Sequence, residues 1–297
     1  MSAKPPNILL LGAKGQLGRE LAAALAECGT VIACDRASVD ITDATSVERV
    51  LRDSPPAFIV NAAAYTAVDR AERERDAAFA VNATAPGVLA AAARRIGALL
   101  FHYSTDYVFD GDRATPYDEG AVPHPLNVYG ASKLEGEQAI AASGAIALTL
   151  RTSWVYGRQG QNFLTTMQRL AAERDELRVV DDQVGTPNWT RAIARATAAL
   201  IKRGSTDLAQ HAGLYHLSAV GSATWCEFAR AILRDTNVRV IPITTAEYPT
   251  PAKRPRYGVL DSSRFARTFG FSLPEWSLSL RKCLDSATEP SRAFPVN

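Results

Sequence analysis

Ile8-Leu9-Leu10-Leu11-Gly12-Ala13-Lys14-Gly15-Gln16-Leu17-Gly18 decides how the rest of the chain is read. Four apolar residues in a row have no polar face, as expected of a strand covered by helices on both sides. Gly12 ends the run. From Gln16 the pattern turns helical, with Leu17, Leu21, Ala24, Leu25 and Cys28 on one face. A strand running through a glycine-rich turn into a helix is the opening of a βαβ unit. Glycines let such a turn bend tightly and approach a pyrophosphate, which then sits on the positive N-terminus of the helix. The spacing is GxxGxxG rather than GxGxxG, and a plain strand–helix turn uses similar residues, so the neighbours have to decide.

They favour a dinucleotide. Gly12, Lys14, Gly15, Gln16 and Leu17 form the turn, and Val31–Cys34 reads as the second strand. Asp35 closes it about 20 residues past the turn, where a carboxylate accepts bonds from an adenosine ribose. That favours NADH. Arg36 beside it and Lys14 in the turn suit a 2′-phosphate, so NADPH stays equally open. Asp40 and Ile41 follow, where a side chain and backbone can hold the adenine. Asp43 caps a helix carrying Val47, Val50 and Leu51, stopped by Pro55-Pro56. Phe58–Val60 is the third strand. Ala62, Ala63 and Ala64 after Asn61 are small enough for a cofactor to lie against the backbone. A long alanine-rich helical stretch then reaches about Ile96.

Leu99–Tyr103, Ile146–Leu150, Leu177–Val180 and Leu214–Leu217 are the remaining strand candidates. Strands alternating with helices predict an α/β fold, a Rossmann-type doubly wound parallel sheet with a smaller C-terminal α/β lobe. The expected division is a dinucleotide-binding unit over 1–156, its sheet completed by strands near 177–183 and 213–218, and a substrate lobe from 157–176 and 219–297. The charged run Asp69–Asp76 reads as a solvated helix face with i,i+4 pairs Asp69/Arg73 and Arg70/Glu74. Residues 289–297 read as a solvated tail.

Composition narrows the function. Of 297 residues, 47% are hydrophobic and 22% charged, which excludes global disorder and a disulfide-stapled mini-protein. Lys+Arg 33 against Asp+Glu 31 leaves +2, too little for a nucleic-acid binder. Met1–Pro6 lacks the regions of a signal peptide, and Ile8–Gly12 is far too short to span a bilayer. Cys28, Cys34, Cys226 and Cys283 form no ligand pattern and read as thiols of a reducing compartment. The expected setting is cytoplasmic, with no membrane and no nucleic-acid partner. His102, His124, His211 and His216 show no metal spacing, and no metal site is expected.

The chemistry is carried by Tyr129-Gly130-Ala131-Ser132-Lys133. About 0.2 Tyr-x3-Lys pairs arise by chance in such a chain, so context matters. Residues 128–142 have helical character, which puts Tyr129 and Lys133 on one face. An ammonium beside a phenol favours the phenolate, which predicts a lowered Tyr129 pKa and a usable proton donor or acceptor. Thr105 and Asp106, at the end of the fourth strand, sit at the ligand edge of a parallel sheet. A hydroxyl there can orient a carbonyl toward Tyr129.

These residues resemble the extended short-chain dehydrogenase/reductase family over nearly the whole chain, and within it the dTDP-4-dehydrorhamnose reductase group. The carrying stretches are GAKGQLG at 12–18, VDITD at 39–43, NAAAYTAVDRAE at 61–72, VNATAP at 81–86, STDYVFDG at 104–111, YGASKLEGE at 129–137, LRTSWVYG at 150–157 and DQVGTP at 182–187. The resemblance implies NAD(P)H-dependent reduction of the C4 ketone of dTDP-4-dehydro-L-rhamnose, with Thr105, Tyr129 and Lys133 as the catalytic set. It implies that Tyr129 protonates the C4 oxygen and that Lys133 bonds the nicotinamide ribose. It also implies substrate contacts from Thr105, Asp106, Tyr107, Trp154, Asn162, Phe163 and Arg254, the last suiting a pyrophosphate.

Two departures stand out. Gly258 occupies a position where relatives usually carry Ser, which implies a lost hydroxyl contact. Some relatives join two subunits through magnesium and acidic residues after the DQxGxP loop; Asn188-Trp189-Thr190-Arg191 has no carboxylate, so a homodimer stays open without that metal. Two other activities use the same chassis: a non-catalytic regulatory subunit resembling that of methionine adenosyltransferase, and a sugar-nucleotide epimerase or dehydratase holding NAD tightly.

Overall fold

The computed structural model describes residues 5–286; residues 1–4 and 287–297, including the stretch read as a tail, lie outside it. Its strands are β1 (Asn7–Leu11), β2 (Thr30–Cys34), β3 (Phe58–Asn61), β4 (Leu99–Thr105), β5 (Ala147–Thr152), β6 (Val155–Tyr156), β7 (Glu176–Val180), β8 (Val184–Gly185), β9 (Asn188–Trp189), β10 (Gly213–His216), β11 (Ala223–Thr224) and β12 (Arg239–Ile243). The helices are α1 (Gln16–Leu25), α2 (Ala44–Asp53), α3 (Val68–Ala71), α4 (Arg75–Phe79), α5 (Ala85–Ile96), α6 (Val128–Ser143), α7 (Phe163–Ala171), α8 (Thr190–Ile201), α9 (Ser205–Ala209), α10 (Trp225–Ile232), α11 (Ser263–Phe269) and α12 (Trp276–Asp285).

The central sheet is parallel throughout, in the order β2-β1-β3-β4-β5-β10. The chain leaves β1 on one side for β2, then returns on the other for β3. Between β1 and β3 lies the switch point, where open α/β sheets bind ligands beyond the strand ends. Alternate residues of each strand feed opposite faces. Ile8, Leu10, Val60 and Phe101 pack with Leu21 and Leu25 of α1 and Ile193 and Leu200 of α8. Leu9, Leu11, Ile59 and Leu100 pack with Val47 and Leu51 of α2 and Leu89 and Ala93 of α5. Each fully buried side chain of this kind stabilises the fold by roughly 1.5–3 kcal/mol.

Two expectations fail here. The strand near 177–183 does not complete the sheet; β7 pairs in parallel with β12 in a separate two-stranded ribbon. The reason lies in its burial: Glu176 and Arg178 are exposed while Leu177 and Val179 are buried. A one-sided strand suits a layer with a single apolar face, and it packs on Cys226, Phe228 and Met167 in a third core cluster. The strand at Gly213–His216 does join the sheet, beside β5.

The second failure is the long helix to Ile96. It is broken into α3, α4, a single π-helical turn at Ala80–Thr84, and α5, which takes Pro86 in its first turn. The π turn places Asn82 inward, 1% exposed. Its Oδ1 accepts the Tyr65 N–H at 2.8 Å, and its amide donates to the Tyr65 carbonyl and to Ser132 of α6, both at 3.0 Å. In the charged run, Arg70 and Glu74 do pair at 3.2 Å. Asp69 holds Arg254 instead, at 2.9 Å.

Candidate active site

Gly12 turns the chain after β1 with φ +78°, and a Cβ there would lie 2.6 Å from the Ala63 nitrogen. The turn therefore packs directly on the Ala62–Ala64 strip after β3, across the switch point. α1 starts at Gln16 with no side-chain cap and no acid in its first turn. Its free N–H groups fit a pyrophosphate. Gln16 donates its amide to the Gln161 carbonyl at 3.2 Å, while its Oε1 is buried without a partner. These features suit a dinucleotide.

At the end of β2, Asp35 is already engaged. Its carboxylate is ion-paired with Lys14 and accepts the Ala37 N–H at 3.1 Å and the Ser38 N–H at 2.9 Å. The Lys14 ammonium and then the Ser38 bonds hold it well below the usual carboxylate range. Arg36 is exposed beside it. Asp40 accepts from Thr42 at 2.9 and 2.7 Å, and Ile41 is buried in the α2 core rather than free at the surface.

Thr105 ends β4. Its hydroxyl donates to Asp106 Oδ1 and accepts the Tyr107 N–H, both at 3.1 Å. Opposite stands the start of α6. Asn127 caps it, accepting the Gly130 N–H at 2.8 Å and donating to the Lys253 carbonyl at 2.7 Å. That cap fixes Tyr129 in the first turn. The Tyr129 ring meets Tyr107 edge-on at 5.7 Å.

The expected lowering of the Tyr129 pKa is not found. Burial pushes it up to about 12; a hydrogen bond with Thr105 opposes the rise, and the Asp106 charge adds to it. Lys133 plays no part because it is aimed elsewhere. Its Nζ donates to the Tyr103 carbonyl at 2.6 Å and lies 3.1 Å from His102 Nε2. Only 2% exposed, Lys133 is itself pushed down to about 8 by burial, with Glu137 opposing. Tyr129 is therefore a phenol holding its proton across neutral pH.

Asp106 is 3% exposed with no partner for Oδ2. Burial pushes it up to about 7. A Cβ on Gly258 would lie 2.6 Å from that oxygen. The departure at 258 thus opens room beside a carboxyl, besides removing a hydroxyl.

On the substrate side the expected residues are spread among different tasks. Trp154 has φ 43°, the one non-glycine with positive φ among the described residues. Its ring stacks on Trp225 at 3.5 Å and 5°. Phe163 lies against Trp225 at 4.6 Å and Phe228 at 5.3 Å. Asn162 is the N-cap of α7, accepting from Thr165 and donating to the Gly157 carbonyl at 2.9 Å. Its side chain is spent within its own loop. Arg254 makes a two-pronged pair with Asp69, at 3.0 and 2.9 Å, and donates to Thr250 at 2.6 Å.

Two polar residues of the site escaped the sequence reading. Asn61 was passed over for the alanines after it, and His102 was weighed only as a metal ligand. They are register partners on β3 and β4, at 1% and 0% exposure. Polar residues inside two adjacent apolar runs were the available signal.

A Rossmann-type sheet with Thr105 and Tyr129 in contact at its carboxyl edge points to a class: a nucleotide-dependent oxidoreductase of the short-chain type. Comparison with known proteins narrows it. The model of the RmlD substrate binding domain family matches residues 6–289. The dTDP-4-dehydrorhamnose reductases of Burkholderia thailandensis and Escherichia coli are 44% and 43% identical, each over 94% of this chain and over 98% and 97% of their own lengths. The crystal structure of dTDP-4-dehydrorhamnose reductase from Bacillus anthracis in complex with NADP superposes with a TM-score of 0.89 at 38% identity, covering 95% of this chain and 99% of that one. The chain belongs to the RmlD family of dTDP-4-dehydrorhamnose reductases.

Proposed function

We propose that this chain reduces the C4 ketone of dTDP-4-dehydro-L-rhamnose to dTDP-L-rhamnose, with NADPH or NADH as reductant. The observation that carries the reading is the hydrogen-bonded contact of Tyr129 with Thr105, with Lys133 one turn further along the same helix. When bound, the reduced nicotinamide supplies the hydride that C4 takes up. The Thr105 hydroxyl holds the ketone oxygen. Tyr129 gives its proton to that oxygen as it becomes an alkoxide, a far stronger base than a phenolate, so the transfer runs downhill. Lys133, one turn further along α6, would bond the nicotinamide ribose when the cofactor is bound. Arg254 exchanges Asp69 for the substrate diphosphate, whose oxygens match its planar fork.

The four cysteines stand as free thiols, which fits a cytoplasmic enzyme. No helix among the described residues is long and apolar enough to cross a membrane.

The test is NADPH oxidation with dTDP-4-dehydro-L-rhamnose, wild type beside Tyr129→Phe. The variant is expected to lose about two or more orders of magnitude in turnover, the size of a missing proton donor. Folded wild-type protein that oxidises no cofactor ends the reading, and near-normal Tyr129→Phe activity moves the acid elsewhere. NAD retained through purification marks an epimerase.

A further inference from the structure

Behind Lys133 lies a chain of buried groups that the reaction above does not use. Asn61 Oδ1 accepts the Ala63 N–H at 3.2 Å. That bond orients the amide, so Nδ2 points at His102 Nδ1, 3.1 Å away. An NH₂ group only donates, so Nδ1 carries no proton. A neutral imidazole then carries its proton on Nε2, and Nε2 faces Lys133 Nζ at 3.1 Å. An ammonium has no lone pair and would meet that N–H donor to donor. A neutral amine accepts it and still donates to the Tyr103 carbonyl at 2.6 Å. All the groups are satisfied together only with Lys133 uncharged.

We propose that Asn61 and His102 form a directional hydrogen-bond wire that sets the protonation state of Lys133. They are positioning residues, and the proposal rests on the reading that Lys133 belongs to the active site. Charging Lys133 takes one proton from solvent. The His102 Nε2 proton passes to Lys133 Nζ and the proton from solvent arrives at Nδ1, so the imidazole's own charge is unchanged. The Asn61 amide turns over to present Oδ1 to the ring and releases the Ala63 N–H. Ala63 belongs to the strip that floors the cofactor crevice, so whatever lies on that strip shares the switch.

The surroundings support the uncharged form. Burial lowers His102 well below its usual range, and it lowers Lys133 as well. The one carboxylate facing Lys133 from its own helix, Glu137, is held by Arg151 at 2.9 and 2.6 Å, and Arg151 in turn reaches His216 at 3.5 Å. Tyr129, a turn earlier, is a neutral phenol, and Asp106 is hydrogen-bonded to Thr105.

The test reads the ring itself. Full-length protein is labelled with ¹⁵N-histidine and ¹³C-lysine, with His102→Gln and Lys133→Arg used for assignment. At high pH, His102 is expected to carry its proton on Nε2. As pH falls through the Lys133 titration, the pattern is expected to invert, in step with the Lys133 Cε shift. Asn61→Asp offers acceptors to both the Ala63 N–H and a Nδ1–H, which freezes the ring in the other tautomer. Its Lys133 titration, and the basic limb of NADPH binding, are expected to move up by about one pH unit or more.

A ring carrying Nδ1–H across the whole range overturns the proposal, as does a ring that keeps Nε2–H while Lys133 titrates. Should Asn61→Asp fail to fold, the wild-type tautomer decides alone. Neither spectrum needs turnover: an inactive protein whose ring inverts sinks the reductase and keeps the wire.

Discussion

Asp106 illustrates how one carboxyl ties stability to pH. In the folded chain it is pushed up to about 7, against an ordinary value of 3.8. The unfolded chain therefore ionises first. Its contribution to stability is complete below the unfolded value and falls away as pH rises from about 4 to about 7. Asp106→Asn removes that loss. Denaturant midpoints are expected to agree at pH near 4 and to favour the variant by a few kcal/mol above pH 7, at ~1.4 kcal/mol per pH unit as an upper bound. Equal midpoints at both ends would mean that the carboxyl finds a partner on folding. At this scale the sequence was legible in identities and not in environments. Tyr129 and Lys133 were readable from their spacing only together with the helical pattern around them and the strand end at Thr105. The direction of the Lys133 ammonium was not, because the groups that draw it, the Tyr103 carbonyl and His102, sit on a strand about 30 residues away. The effect of Gly258 on Asp106 was hidden for the same reason.

Among elements, α6 has the most to hold. It carries Tyr129 and Lys133 and is pinned to β5 by the buried Glu137–Arg151 pair, with the guanidinium also 5.0 Å from the Phe109 ring centroid. Removing one partner of a buried pair leaves the other charge stranded. Glu137→Ala is expected to cost about 3–5 kcal/mol, measured by chemical denaturation. A loss under about 1 kcal/mol would mean that water reaches Arg151. The central strands were legible because continuous apolar runs such as Ile8–Leu11 allow little but a strand buried on both faces. β7 was misplaced although its alternation of Glu176, Leu177, Arg178 and Val179 already described a one-sided strand. Its apolar content alone could not tell a sheet member from a ribbon. The break at Ala80–Thr84 was not legible, since alanines fit α and π turns alike and Asn82 shows its partners only once Tyr65 and Ser132 are brought near.

Across the whole molecule, the Asp69–Arg254 pair joins the segment after β3 to the loop before Gly258. Partly exposed ion pairs contribute little to stability, about 0–1 kcal/mol. Under the proposed function its weight falls on binding, because Asp69 would compete with the substrate diphosphate for the same guanidinium. Asp69→Asn is expected to tighten dTDP binding several-fold, read by calorimetry, while the melting temperature barely moves. Weaker binding would show that Asp69 presents Arg254 rather than competing for it. Overall architecture was legible from the order of strands and helices, but a contact linking residues 185 positions apart has no local signature.

The π turn after α4 also sets an angular phase. Each helical residue advances about 100° around the axis. Excising one residue between Ala80 and Thr84 would restore an unbroken α-ladder into α5, yet swing everything upstream by that angle. The clasp of Asn82 on Tyr65 would open, and Asp69 would rotate off Arg254. A shortened chain of this kind should fold around an intact sheet and fail at the crevice, its defect lying in azimuth alone.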